Sequence, residues 1–130
     1  MAVPVPSTLA VGLGGAIGAS LRVGLDELAG GAPGWPVATL VANLVGTAIL
    51  ACLIATLPRF RPRRQLAALV GGGLCGALTT FATLQVEVVR LAGEDGFGPA
   101  AAYGAGSVLA GLVIAFGAVR LTGRLLGATR

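Results

Sequence analysis

The stretch GALTTFATLQVE, residues 76–87, sets three threonines and a glutamate among apolar neighbours. Thr79, Thr83 and Glu87 recur every four residues with Thr80 beside them, a spacing that stacks them on one helix face. Thr39, Asn43 and Thr47 repeat the interval in TLVANLVGT, and Tyr103 and Ser107 repeat it in YGAGS. Hydroxyls and an amide can donate hydrogen bonds, and a carboxylate can only accept them. Buried in an apolar chain, each must find a partner on another helix, in water or in a passing solute. For Asn43, bonding between helices and contact with a solute are both open, and three polar stripes favour a path or site for a small solute.

The backbone offers a second kind of chemistry. GGGLCG, residues 71–76, is a run of poor helix formers placed just before the threonines. A break near Gly76 to Thr80 would release carbonyl oxygens suited to a hard cation such as sodium, as in membrane proteins with discontinuous helices. The alternative is an intact helix whose threonine hydroxyls bond back one turn. Phe81 and Leu84 lie one turn apart in the same segment. The sequence holds no histidine, which excludes Ser-His-Asp nucleophiles and histidine-ligated zinc. Cys52 and Cys75 lie inside apolar windows and read as small hydrophobes. No enzyme is expected.

These residues need elements to carry them, and composition says which. With 55% hydrophobic and 11% charged residues among 130, the chain belongs in a bilayer. Met1 to Leu21, Leu28 to Pro58, Gln65 to Val86 and Gly96 to Val119 hold no charged side chain, and each is about the 20 residues a hydrocarbon core demands. The expected architecture is an all-α membrane domain of four helices, Ser7 to Leu25, Pro36 to Leu57, Arg64 to Leu91 and Pro99 to Leu126, the third broken near its middle. The first window lacks a basic start and is read as a helix rather than a signal peptide. Little chain remains outside the membrane for a catalytic head or a nucleic-acid-binding module, so the net charge of +4 speaks of topology and anionic lipid.

Arginine is unevenly distributed. With four spans, Arg59, Arg61, Arg63, Arg64, Arg120, Arg124 and Arg130 share one face, which places both termini and the second loop in the cytoplasm. Gly14 and Gly18, and Ser107 and Gly111, stand four apart, a spacing that lets helix backbones approach closely in lipid. An oligomer is expected; packing within one subunit is the alternative.

GGAIGASLR, TLVANLVGT, GGGLCGALTTFATLQVE and YGAGS, in this order, resemble the Fluc (CrcB) family of small fluoride channels. The resemblance spans all four helices, and its specific part is the third-helix segment. It implies an antiparallel, dual-topology-type dimer in the cytoplasmic membrane, with a structural sodium ion at its centre and pores that export fluoride passively. Carried over by motif, the carbonyls of Gly76 and Thr79 would hold the sodium, two from each subunit. Asn43, Phe81, Thr80, Thr83, Leu84, Tyr103 and Ser107 would line the fluoride path. Arg22 would sit in a vestibule or be a snorkelling helix end, and Glu87 would orient pore hydroxyls or reach water at the helix end. A small, strongly hydrated anion needs donors to replace its water, and hydroxyls, an amide and a ring edge supply them.

The sequence departs from the family pattern in one place. The usual Thr-Thr-Phe-Ser-Thr-Phe box has Ala82 and Leu84 here, so one ring edge is missing. Together with the arginine bias, this suggests pairing with a homologous subunit of opposite orientation that carries a complete box; a homodimer is the alternative. Two other classes compete: a proton-coupled multidrug-type exporter using Glu87, and a non-transporting assembly partner whose RFRPRR segment docks lipid or protein.

Overall fold

Long charge-free stretches leave the backbone only one economical way to satisfy its polar groups at membrane depth, and helices follow. The computed structural model describes residues 7–29, 35–59 and 63–127. Among the described residues all regular structure is helical. Helix α1 is Ser7–Leu28 and α2 is Val37–Thr56, prolonged by a 3-10 turn, Leu57–Arg59. The third span has two parts, α3 over residues 63–78 and α4, Phe81–Glu94. Helix α5 is Phe97–Gly127. By length and composition, Ser7–Leu28, Val37–Arg59, Arg63–Glu94 and Phe97–Gly127 are each able to cross a membrane.

The helix ends differ from expectation by a few residues, for identifiable reasons. The third span continues to Glu94 rather than Leu91, where Arg90 and Glu94 pair at 2.9 Å one turn apart and favour another helical turn. Helix α5 begins at Phe97, two residues before Pro99, which then sits in the first turn where its missing N–H does no harm. Gly96 makes the short link with φ 91, a backbone angle that favours glycine. Pro36 stands at the N-cap of α2. Parts of the first and second loops, with Arg61, and the C-terminal Arg130 lie outside the described residues.

Helix α1 lies against α3, and α2 lies beside α5. The α1–α3 contact is between backbones. A Cβ on Gly14 or Gly18 would run into the carbonyl oxygens of Leu69 and Leu74, and one on Gly73 would lie 2.6 Å from the Val11 oxygen. The glycine pair of α1 therefore packs within the subunit, the alternative reading of its spacing. Gly111 on α5 has open space around it. In α3, residues Ala67–Cys75 take the wider π form, so the glycine run stays helical. On the other side, Leu84, Leu91, Ala100 and Tyr103 form a buried cluster with Leu40 and Val88 against it. Large apolar side chains such as Leu13, Ile17, Val113 and Phe116 face outward, as a lipid-facing surface requires.

Candidate functional site

Helical geometry lapses at two residues of the third span. Thr79 (φ −86, ψ 152) and Thr80 (φ −151, ψ 125) are extended, between the last turn of α3 and the first of α4. Backbone groups there need other partners. Asn43 of α2 supplies them: its Nδ2 donates to the Thr80 carbonyl at 3.1 Å, and its Oδ1 accepts the Thr80 N–H at 2.7 Å. This pairing fixes which way the amide faces, since only one orientation matches both groups. One Asn43 N–H is left over, because the amide has two and the Thr80 carbonyl takes one.

Gly76 and Thr79 are among the carbonyls that lose their helical donors as a result. The N–H that would close the turn onto Gly76 O is that of Thr80, now given to Asn43. The N–H that would reach Thr79 O is that of Thr83, which donates instead to Thr80 Oγ1 at 3.3 Å, an N-cap for α4. Thr79 itself bonds back, with its N–H and hydroxyl both donating to the Cys75 carbonyl at 3.0 and 2.8 Å. Gly46 on α2 faces this point; a Cβ there would strike the Thr79 methyl group.

Asn43, Thr47, Gly76, Thr79, Thr80, Phe81 and Leu84 line one open cleft of about 370 Å³, with Gly46, Leu50, Gly71, Cys75 and Val108 completing its wall. Phe81 is 68% exposed at its mouth, whereas Leu84 is 8% exposed and packs inward with Tyr103. Thr47 donates to the Asn43 carbonyl at 2.7 Å.

A second cluster forms around Glu87. Thr39 donates to its Oε1 and Tyr103 to its Oε2, both at 2.6 Å, in the range of charge-assisted bonds to a carboxylate. Thr39 and Tyr103 are buried, and the Trp35 ring meets Tyr103 edge to face at 6.0 Å between centroids. Ser107 turns back to the Tyr103 carbonyl at 2.6 Å. Arg22 reaches from α1 to donate to Thr83 Oγ1 at 2.8 Å.

The structure thus gathers Asn43, Gly76, Thr79, Thr80, Phe81 and Leu84 on the cleft, and sets Glu87, Tyr103 and Ser107 in the cluster beside it. Thr39 and Gly46 belong to these sites and are not among the site residues named from sequence. Thr39 was visible as the first member of the α2 polar stripe; Gly46, three residues after Asn43, carried no chemical signal of its own.

Comparison with known proteins places this geometry in context. The family model described as CrcB-like protein, Camphor Resistance (CrcB), matches residues 9–119. The chain is 39% identical over 121 residues to a Mycolicibacterium paratuberculosis protein named fluoride-specific ion channel FluC 1, with 89% of each chain covered. It is 42% identical over 121 residues to the Bordetella bronchiseptica fluoride-specific ion channel FluC, with 91% of each chain covered. It is also 39% identical over 116 residues to the Rhodococcus jostii fluoride-specific ion channel FluC 2, covering 89% of this chain and 98% of the relative.

Proposed function

This chain belongs to the CrcB-like protein family, and from that premise we propose that it is a fluoride channel of the cytoplasmic membrane that lets the anion leave the cell passively. The observation that carries the reading is the cleft beside Asn43: relatives named as fluoride-specific ion channels are 39% and 42% identical to this chain over about nine-tenths of its length, and here a spare amide N–H and the Phe81 ring meet in one space, with threonine hydroxyls that can exchange their present partners for an anion. Donors replace the water a small anion loses, and none of the cleft-lining side chains carries a full charge that would trap it.

The channel works as an antiparallel dimer. Phe81 and Gly76 are open on one subunit and become pore and interface surfaces on assembly. A discontinuous third helix suits this use, and the extended backbone of Thr79 and Thr80 supports it. The oxygens of Gly76 and Thr79, deprived of their helical donors, fit a sodium ion held by carbonyls from both subunits. Such an ion supplies a fixed positive potential in a medium of low dielectric, favourable to a nearby anion. Asn43 holds the Thr80 backbone, while Thr39 and Tyr103 satisfy the Glu87 carboxylate and keep it from approaching the cleft unpaired.

The partner is a homologous subunit of opposite orientation rather than a second copy. Arg59, Arg63, Arg64, Arg120 and Arg124 lie at the end of the bundle where α2 and α5 finish and α3 begins, a bias that favours one insertion with both termini cytoplasmic. Leu84 offers no ring edge, and relatives named FluC 1 and FluC 2 are consistent with paired subunits. Fluoride-electrode recordings of efflux from liposomes test the proposal, with this subunit alone and then with its candidate partner. Release above that of empty vesicles, requiring the partner, is expected. No release in either preparation, or proton-driven uptake of an organic cation instead, overturns the function; full release by this subunit alone overturns the obligate pairing.

A further inference from the structure

Most arginines of the described residues have an occupation within the chain. Arg59 donates to the Ala55 carbonyl at 3.4 Å and Arg63 to the Pro58 carbonyl, while Arg22 donates to Thr83 and Arg90 pairs with Glu94. Arg120 and Arg124 make no hydrogen bond or ion pair among the described residues, and both are exposed. They stand one turn apart near the end of α5, on one face of it. The negative end of the peptide dipoles favours cations there. That accounts for their charge but not for the surface that leads up to them.

That surface is an open groove of about 580 Å³ lined by Leu109, Leu112, Val113, Phe116, Gly117 and Arg120. Val113 is 72% exposed, and nothing lies within 4 Å of the place a Cβ on Gly117 would take, so the floor is free. Arg120 follows Leu109 by eleven residues, about 16 Å of helix, which is roughly the depth of one leaflet. Leu109 lies near the middle of the charge-free stretch from Gly96 to Val119. The apolar end of the groove is therefore at mid-membrane and its cationic end at the interface.

The direction of the groove tells what covers it. At 3.6 residues per turn it points about half a turn away from Tyr103 and Thr122, through which α5 meets Glu87 and Cys52. It also points roughly a third of a turn away from Val108, which lines the cleft. A partner seated on the cleft leaves this side of α5 to lipid. The free guanidiniums then select among lipids, because they attract a phosphate that carries net negative charge, and the cytoplasmic leaflet supplies such headgroups.

We propose that the outer face of α5 is a binding site for one anionic phospholipid, its phosphate held by Arg120 and Arg124 and one acyl chain lying over Gly117 between Val113 and Phe116. The inference rests on the partner covering the cleft side, and it does not depend on which ion the cleft conducts.

The test counts retained lipid by native mass spectrometry of the purified protein in detergent, titrated with phosphatidylglycerol or with phosphatidylcholine of the same chains. Phosphatidylglycerol is expected to be retained at a concentration lower by roughly tenfold or more. Arg120→Gln with Arg124→Gln removes most of that preference, whereas Arg63→Gln with Arg64→Gln, an equal loss of charge at the same end of the bundle, leaves it. Gly117→Leu fills the groove and weakens retention with every arginine in place. Glycerol phosphate, the headgroup without chains, does not displace the lipid. Thermal unfolding shows that each variant is folded. Equal retention of the two lipids, an equal loss in the Arg63 and Arg64 variant, or displacement by glycerol phosphate overturns the inference. So does dissociation of the subunits by Gly117→Leu, which would put the partner on this face. Each of these leaves the channel reading standing, and a wild type that retains phosphatidylglycerol here but releases no fluoride overturns the channel reading alone.

Discussion

Residues 63–78 press on α1 with almost no side chain between the two backbones, whereas Phe81–Glu94 is fastened by hydrogen bonds and aliphatic contacts. The first half of the third span depends on what is missing: Gly14, Gly18 and Gly73 have no Cβ where a Cβ would meet a neighbouring carbonyl. The second half depends on what is present: Asn43 on Thr80, Arg22 on Thr83, Thr39 and Tyr103 on Glu87, with Leu84 and Leu91 in the buried cluster. In lipid, burial of apolar area gives no drive between helices, so close fit and polar bonds are the two means left. This protein assigns one to each half, and the polar half carries the chemistry.

The comparison can be broken most severely on the glycine side. Gly18→Leu forces α1 away from Leu74, and destabilisation of roughly 3 kcal/mol or more is expected, read as loss of the folded population in a denaturant titration. Next comes the joint. Asn43→Leu strands the N–H of Thr80, whose carbonyl keeps its place in the first turn of α4, a loss of about 2 kcal/mol in the same titration, accompanied by loss of fluoride efflux. Glu87→Gln keeps the shape and one acceptor oxygen for Thr39 or Tyr103 but not both, so about 1 kcal/mol is expected, with Glu87→Ala costing more. Gly111→Ala meets open space and should change subunit stability by less than about 0.5 kcal/mol. If the same substitution weakens subunit association in a cross-linking assay, the glycine of α5 serves the dimer while those of α1 serve the fold.

The same contrast explains what the sequence disclosed. Four helices able to span a membrane were legible because charge-free stretches of the right length have few other fates; their ends moved by up to three residues, the first helix running to Leu28 rather than Leu25 and the third to Glu94, where the Arg90–Glu94 pair prolongs it. The four-residue intervals of Gly14 and Gly18, and of Asn43 and its threonines, correctly gave faces. They could not give partners, since a partner is a property of three-dimensional arrangement. Gly14 and Gly18 meet α3 of their own chain, although the spacing also suited a second copy. Gly71, Gly72 and Gly73 have low helix propensity and are helical nonetheless, because the close approach to α1 outweighs it. Tyr103 and Ser107 are one helical turn apart, as a hydroxyl track requires, yet one hydroxyl goes to Glu87 and the other to a carbonyl of its own helix. The contact from Arg22 to Thr83 spans 61 positions of sequence and left no local sign.

The paired bonds from one amide to Thr80 imitate a neighbouring β-strand a single residue long. Such a joint behaves as a weld. Twisting the chain at residue 80 would break both bonds to Asn43 at once and leave the Thr80 N–H without its partner, at a cost of about 1–3 kcal/mol. The interruption in the third span is therefore braced from α2, and the helix on either side of it is held in one register by a single side chain.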